Sequence, residues 1–142
     1  MSIQESYMLQ AIDLAKKGRG RVAPNPLVGC VIVKDQKIIG EGYHRKFGGS
    51  HAEVDAINNC TEAPHDADLY VTLEPCHMCA KAIVDARLKS LVFAAHEPKT
   101  GSVNSIDNFL DKNFLNHKVE YQSGLLADES SALLKEFFTL KR

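Results

Sequence analysis

The sequence predicts an α/β fold, a sheet covered by helices on both faces. Two observations carry this expectation. Strand-like runs rich in β-branched residues alternate along the chain with stretches whose apolar residues recur at helical spacing. Strands that alternate with helices require crossover connections, and crossovers lay helices over the sheet. The 142 residues, 44% hydrophobic and 25% charged, predict one domain spanning residues 1–142 with a core of its own.

Each element has its own signal. Tyr7, Met8, Ala11, Ile12 and Leu14 at helical spacing predict a helix over about residues 3 to 18, with Lys16 and Lys17 suiting its negative end and Gly18 and Gly20 stopping it. "RVAPNPL" is a loop, because its two prolines forbid a regular helix or a central strand. "VGCVIV" and "IIGEGYH" flank the turn "KDQK" and predict a hairpin. "AEVDAINNC" is a short helix and "ADLYVTL" a third strand. "HMCAKAIVDARL" is a helix with Met78, Ala82, Ile83 and Ala86 on one face, and "KSLVFAA" is a fourth strand. After the loop "HEPKTGSVNS", a short helix is expected within "SIDNFLDKNFLN" and a fifth strand in "HKVEYQS". "ADESSALLKEFFTLKR" closes the chain as a helix with Leu133, Leu134, Phe137 and Phe138 as its buried stripe.

Composition narrows the partners. A net charge of −1 excludes bulk attraction to a polyanion, so any nucleic-acid contact has to come from a local patch. No apolar run approaches the roughly 20 residues that span a bilayer, so no membrane partner is expected. The start "MSIQESYMLQAIDLAKKGRG" lacks the pattern of a signal peptide. The expected location is cytoplasmic, with all four cysteines reduced.

The chemistry concentrates in "HAEVDAINNCTEAPHDADLYVTLEPCHMCAKAI", residues 51 to 83. His51 falls where the second strand passes into a helix, and Cys76 and Cys79 fall where the third strand passes into the next helix. C-x-x-C at a helix start turns both sulfurs toward one point, and the positive helix ends favour thiolates. A mixed thiolate and imidazole set suits zinc, one ion per chain. Three ligands leave a position for water, as catalytic sites do. A structural site would take a fourth ligand from Cys30, Cys60, His44 or His77. Of these, Cys30 reads as a core residue, Cys60 as packing or solvent-facing, and His77 as pointing away from its neighbours. Glu53, two residues from His51, could merely complement a helix dipole. Beside a metal with an open position it gains a task, taking a proton from water and passing it to a leaving amine.

"HAE" followed by "PCHMC" resembles the zinc-dependent cytidine deaminase superfamily. The resemblance implies a three-layer α/β/α sandwich with a five-stranded mixed sheet, and a homodimer with each active site near the interface. It also implies attack by zinc-activated water on an amino-bearing carbon of a nucleobase, with Glu53 shuttling protons and ammonia leaving. Two branches are echoed. From Leu69 to Arg142, "LYVTLEPCHMCAKAIVDARLKSLVFAAHEPKTGSVNS" and "FLNHKVEYQSGLLADESSALLKEFFTLKR" look like bacterial tRNA-specific adenosine deaminase. From Pro24 to Ile57, "PNPLVGCVIVKDQKIIGEGYHRKFGGSHAEVDAI" looks like the pyrimidine deaminase of riboflavin biosynthesis, and Asn25 and His44 belong to that pattern.

Each branch also meets a departure. "YHRKFGGS" stands where the tRNA enzyme has an asparagine and a longer loop. Only His77 and Met78 lie between the cysteines, where the riboflavin enzyme has a longer insert, and the reductase domain usually fused to that enzyme is missing. The longer match and the chain length favour the wobble adenosine of tRNA as substrate. The riboflavin-pathway pyrimidine is the alternative, then another nucleobase, nucleoside or single-stranded nucleic acid. An inactive zinc-stapled binding module is the non-enzyme reading, and the intact Glu53 argues against it.

Other residues carry two readings each. Asn25 either holds a turn between prolines or lines a substrate pocket. His44 is either a surface histidine at a strand end or a pocket wall. Glu74, before Pro75, bonds within its loop and is not expected to be catalytic. Lys99, Lys141 and Arg142 are either solvated surface or phosphate contacts. Phe137 and Phe138 are core or dimer contacts first and base-stacking residues second.

Overall fold

The computed structural model describes residues 1–140, so the proposed phosphate contacts Lys141 and Arg142 lie outside the described residues. Five strands form one sheet: β1 (Gly29–Lys34), β2 (Lys37–Tyr43), β3 (Asp68–Leu73), β4 (Ser90–Ala95) and β5 (Glu120–Ser123), in the order β2-β1-β3-β4-β5. β1 runs antiparallel to both neighbours, whereas β3, β4 and β5 are parallel, so the sheet is mixed as expected. The expected hairpin joins β1 to β2. Its turn residues Asp35 and Gln36 take left-handed backbone, φ 51° and 62°, which two-residue turns between twisted strands demand.

Helices α1 (Ile3–Lys16) and α4 (Ala127–Leu140) cover one face, and α2 (Ala52–Asn58) and α3 (His77–Asp85) cover the other. Strand side chains alternate between the layers. Cys30 and Ile32 join the α2/α3 core, while Val31 and Val33 join the α1/α4 core. Burial on both faces explains why the strands read as nearly unbroken apolar runs. Two strand glycines let helices lie directly on the sheet. A Cβ on Gly29 would meet the Ala11 carbonyl oxygen at 1.9 Å, and one on Gly42 would meet the Ala56 nitrogen at 2.3 Å.

Several expected details shift. α3 buries Cys79, Ala80, Ile83 and Val84, so of the expected stripe only Ile83 is fully inside, and Met78 is 54% exposed. Cys79 must turn inward toward His51, and that sets the helix rotation. In α4, Leu133 and Phe137 are buried, but Leu134 is half-buried and Phe138 is 39% exposed. Ser130 takes an inner position instead, donating its hydroxyl to the Thr72 carbonyl at 2.7 Å. The expected helix within residues 105–116 shrinks to one 3-10 turn, Phe109–Asp111. Asn and Asp crowd this segment, and their side chains compete for backbone bonds, as Asn108 does by donating to the Val103 carbonyl. β5 is likewise shorter than its expected run. No helix among the described residues is long and apolar enough to cross a membrane.

Candidate metal centre

β2 and β3 point the same way on either side of β1, so the segments following them meet beyond the same end of the strands. His51 is the N-cap of α2 and Cys76 the N-cap of α3, both in extended backbone, and neither side chain is spent on a capping hydrogen bond. Cys79 follows one turn into α3 on the same side. The metal-binding atoms of His51, Cys76 and Cys79 all lie within 4.8 Å of one another. His51 Nδ1 stands 3.6 Å from Cys76 Sγ and 3.4 Å from Cys79 Sγ.

The electrostatics suit a cation. The hydrogen bond from Cys79, joined by His51 and opposed by burial, lowers the Cys76 thiol to about 4. The same hydrogen bond and burial push the Cys79 thiol up. His51 is raised by its bond to Cys76. Two sulfurs and one imidazole nitrogen at this spacing fit zinc. The four side chains considered as a fourth ligand are engaged elsewhere. Cys30 is buried in the core, and the Cys60 thiol donates to the Ala56 carbonyl. His77 stacks on Phe109 with centroids 4.4 Å apart, and His44 bonds Ser50 and Asn25. Three protein ligands leave one coordination position open.

A cleft of about 310 Å³ opens beside these ligands. Its floor includes Glu53, which is 4% exposed. Burial, helped by charge on Cys76, pushes the Glu53 carboxyl up to about 7. A carboxyl that exchanges protons near neutrality and adjoins an open metal position can act as acid and base in turn.

The structure also places Asn25, His44 and Lys99. His44 is a buried wall of the cleft rather than a surface residue, and Asn25 lines the cleft beside it. His44 Nδ1 faces the Ser50 carbonyl at 2.9 Å and so carries the hydrogen. Nε2 then accepts from the Asn25 amide at 3.1 Å, and among the described residues the Asn25 side-chain carbonyl and its second N–H have no partner. Lys99 and Thr100 stand exposed at the rim. Glu74 does not bond within its own loop: its side chain is 3% exposed and gathers hydrogen bonds from Glu97, Val103, Asn104 and Ser105 in the loop after β4. In sequence its partners lie 23 to 31 residues away, and only the charge placed next to a proline-cysteine turn hinted at a buried role.

Residues 1–95 match the model for the cytidine and deoxycytidylate deaminase zinc-binding region. The diaminohydroxyphosphoribosylamino-pyrimidine deaminase of Buchnera aphidicola subsp. Schizaphis graminum is 37% identical over 142 residues, covering 96% of this chain and 94% of that protein. The tRNA-specific adenosine deaminase of Haemophilus influenzae is 41% identical over 148 residues, covering 97% of this chain and 84% of that protein. Among solved structures, a diaminohydroxyphosphoribosylaminopyrimidine deaminase/5-amino-6-(5-phosphoribosylamino)uracil reductase from Thermotoga maritima superposes with a TM-score of 0.82 at 40% identity, over 99% of this chain and 42% of that one. Several longer curated relatives are likewise matched over only 36% to 39% of their length.

Proposed function

The chain belongs to the cytidine and deoxycytidylate deaminase zinc-binding family and is a zinc-dependent hydrolytic deaminase, and on that footing we propose that its substrate is the wobble adenosine of tRNA, converted to inosine. His51, Cys76 and Cys79 would hold the zinc. Bound there, zinc supplies the Lewis acidity that lets water act as a nucleophile at neutral pH. Glu53 removes a proton from the attacking water as it adds to the amino-bearing carbon. It returns that proton to the amino nitrogen, the carbon–nitrogen bond breaks, and ammonia leaves. The free carbonyl and N–H of Asn25, held in place by His44, grip polar groups of the substrate, while Val28 and Leu73 give apolar contact to the base.

The observation that carries the tRNA reading is the open mouth of the cleft. α3 begins at His77, directly after Cys76, so no insert rises between the cysteines to cover the site. His51, Lys99 and Thr100 are exposed around a buried floor of His44, Glu53 and Leu73. A base still attached to a polymer enters such a mouth after swinging out of its stack. Pockets for small free ligands usually bury roughly 70–90% of the ligand.

A second reading rests on the Asn25–His44 pair, which matches the riboflavin-pathway pattern and favours the phosphoribosylaminopyrimidine. Ammonia release decides. The zinc-loaded protein is offered an anticodon stem-loop with a wobble adenosine and, separately, the aminopyrimidine. Conversion of the stem-loop alone supports the first reading, and conversion of the pyrimidine alone replaces it with the second. Conversion of neither refutes both substrates. Four free cysteines suit the reducing cytoplasm. The apolar side chains exposed at Met78, Ile106 and Phe114 suit a homodimer contact, which sedimentation as a clean monomer at micromolar concentration would rule out.

A further inference from the structure

Residues 96–105 follow β4 and form one wall of the cleft, lined by Glu97, Lys99 and Thr100. Surface loops are ordinarily mobile, but this one is tied to a buried carboxylate. Glu74 Oε1 accepts the Glu97 N–H at 3.1 Å, and Oε2 accepts the N–H groups of Val103, Asn104 and Ser105 at 3.0, 2.7 and 2.9 Å. The Ser105 hydroxyl donates to Oε1 as well. The Ser102 N–H reaches the Pro75 carbonyl at 2.9 Å, so the loop is also fastened to the turn that carries Cys76. Gly101 passes so close over the carboxylate that a Cβ there would meet Glu74 Cδ at 2.3 Å.

The metal group does not include Glu74. The clamp holds the backbone on either side of Lys99. The Lys99 backbone N–H donates to Glu97 Oε1 at 3.0 Å, and among the described residues its ammonium makes no ion pair. A lysine whose backbone is held at the mouth of a base-binding cleft is suited to an anion attached to the base. Both substrate readings supply one, since a tRNA nucleotide and a phosphoribosylaminopyrimidine each carry phosphate on the sugar attached to the base.

We infer that Glu74 is a positioning residue that holds the 97–105 wall so that Lys99 meets the substrate's phosphate. The inference rests on the chain being a deaminase of a phosphate-bearing substrate, but not on which one. Its sign separates it from plain electrostatics. Glu74→Gln removes a negative charge near the cleft, which by itself would tighten phosphate binding. Losing the clamp does the opposite, because a glutamine amide would face N–H donors and release the wall.

The test compares zinc-loaded wild type with Lys99→Ala, Glu74→Gln and Gly101→Ala. Affinity, or KM where the probe is turned over, is measured for a labelled anticodon stem-loop and for the phosphoribosyl pyrimidine. Each probe is paired with a counterpart lacking phosphate: the free nucleoside and the phosphatase-treated pyrimidine. All three variants are expected to weaken the phosphate-bearing probe that wild type prefers by about tenfold, as loss of one fixed contact does. Zinc content and affinity for the phosphate-free counterpart stay unchanged. For the stem-loop, the slope of log affinity against log salt falls in magnitude by about 1 in each variant, although only Lys99→Ala removes a cation. The double variant Glu74→Gln/Lys99→Ala is no weaker than either single one. Hydrogen exchange at Val103, Asn104 and Ser105 speeds up in Glu74→Gln and Gly101→Ala but not in Lys99→Ala. If Glu74→Gln does not fold, Gly101→Ala gives the same readouts without changing charge. Undiminished phosphate affinity in Glu74→Gln or Gly101→Ala despite fast exchange overturns the inference. So does a wild type that does not distinguish phosphate-bearing probes from their counterparts. Absence of ammonia release overturns the proposed substrates instead, because the binding readouts do not depend on turnover.

Discussion

Glu53→Gln separates the chemistry of the site from its architecture. The side chain is 4% exposed and glutamine has almost the same volume, so the cleft walls stay in place. Glu53 lies outside the metal-binding group, so the variant keeps one zinc per chain. Ammonia release should nonetheless fall by at least about 10⁴-fold, the top of the range for general acid–base help, because one carboxyl serves more than one proton transfer. That loss corresponds to about 5 kcal/mol of transition-state stabilisation. Stability of the zinc-free protein should move the other way. Burial is the main reason the carboxyl rises from 4.5 to about 7. A carboxyl raised in the folded state stabilises the fold below its unfolded value, and that contribution disappears as pH climbs through the folded value. The gap between the two values amounts to about 3 kcal/mol. Urea melts of the zinc-free proteins should therefore show Glu53→Gln gaining about that much on wild type between about pH 4 and about pH 8. Ammonia release within tenfold of wild type at full zinc occupancy would refute the role assigned to Glu53. Parallel pH profiles of the two zinc-free proteins would refute the account of its burial.

Three further outcomes are expected. Cys76→Ala should lose the zinc and lower the melting temperature of the zinc-supplemented protein; metal analysis still finding one ion per chain would show the ligand assignment to be wrong. Gly42→Ala places a Cβ 2.3 Å from the Ala56 nitrogen, so α2 must lift from the sheet; denaturation should report a loss of about 1–3 kcal/mol, with reduced turnover because α2 carries His51 and Glu53. Burial alone would raise the Glu74 carboxyl, yet its hydrogen bonds to Ser105, Asn104 and Glu97 hold it below the usual value. Its stabilisation is thus present above the usual carboxylate value and lost as pH falls through the folded one, so Glu74→Gln should flatten the acid limb of the stability profile, and an unchanged limb would contradict the clamp.

The elements that were legible in the sequence are those whose burial is periodic. The strands from "VGCVIV" to "SLVFAA" and the helix of residues 3–16 announce themselves because both faces of the sheet, or one stripe of the helix, must be apolar. The candidate metal ligands were legible for a different reason: fixed spacing at a helix start brings Cys76 and Cys79 together. The facing stripe of α3 was misread because its small alanines carry little directional signal, and the inward turn of Cys79 overrides them. Asn25 and His44 stood undecided because their meeting depends on two loops folding against each other. Glu74 escaped because a buried carboxylate with only backbone and hydroxyl partners leaves no complementary charge to search for.

The ligand-bearing residues and the cleft walls belong to different kinds of structure. His51, Glu53, Cys76 and Cys79 stand on helix starts fixed by packing against the sheet, whereas Asn25, His44, Lys99 and Thr100 come from the segments between elements. The reactive machinery and the selection of what reaches it can therefore be exchanged separately. A substitution at a helix start disturbs a core; one at the exposed positions Lys46, Phe47, Lys99 or Thr100 changes the outline of the opening. A frame built this way tolerates changes in its walls without moving its floor. It also makes the chain a natural host for grafting, since transplanting the wall segments together should redirect selectivity while the zinc stays where it is.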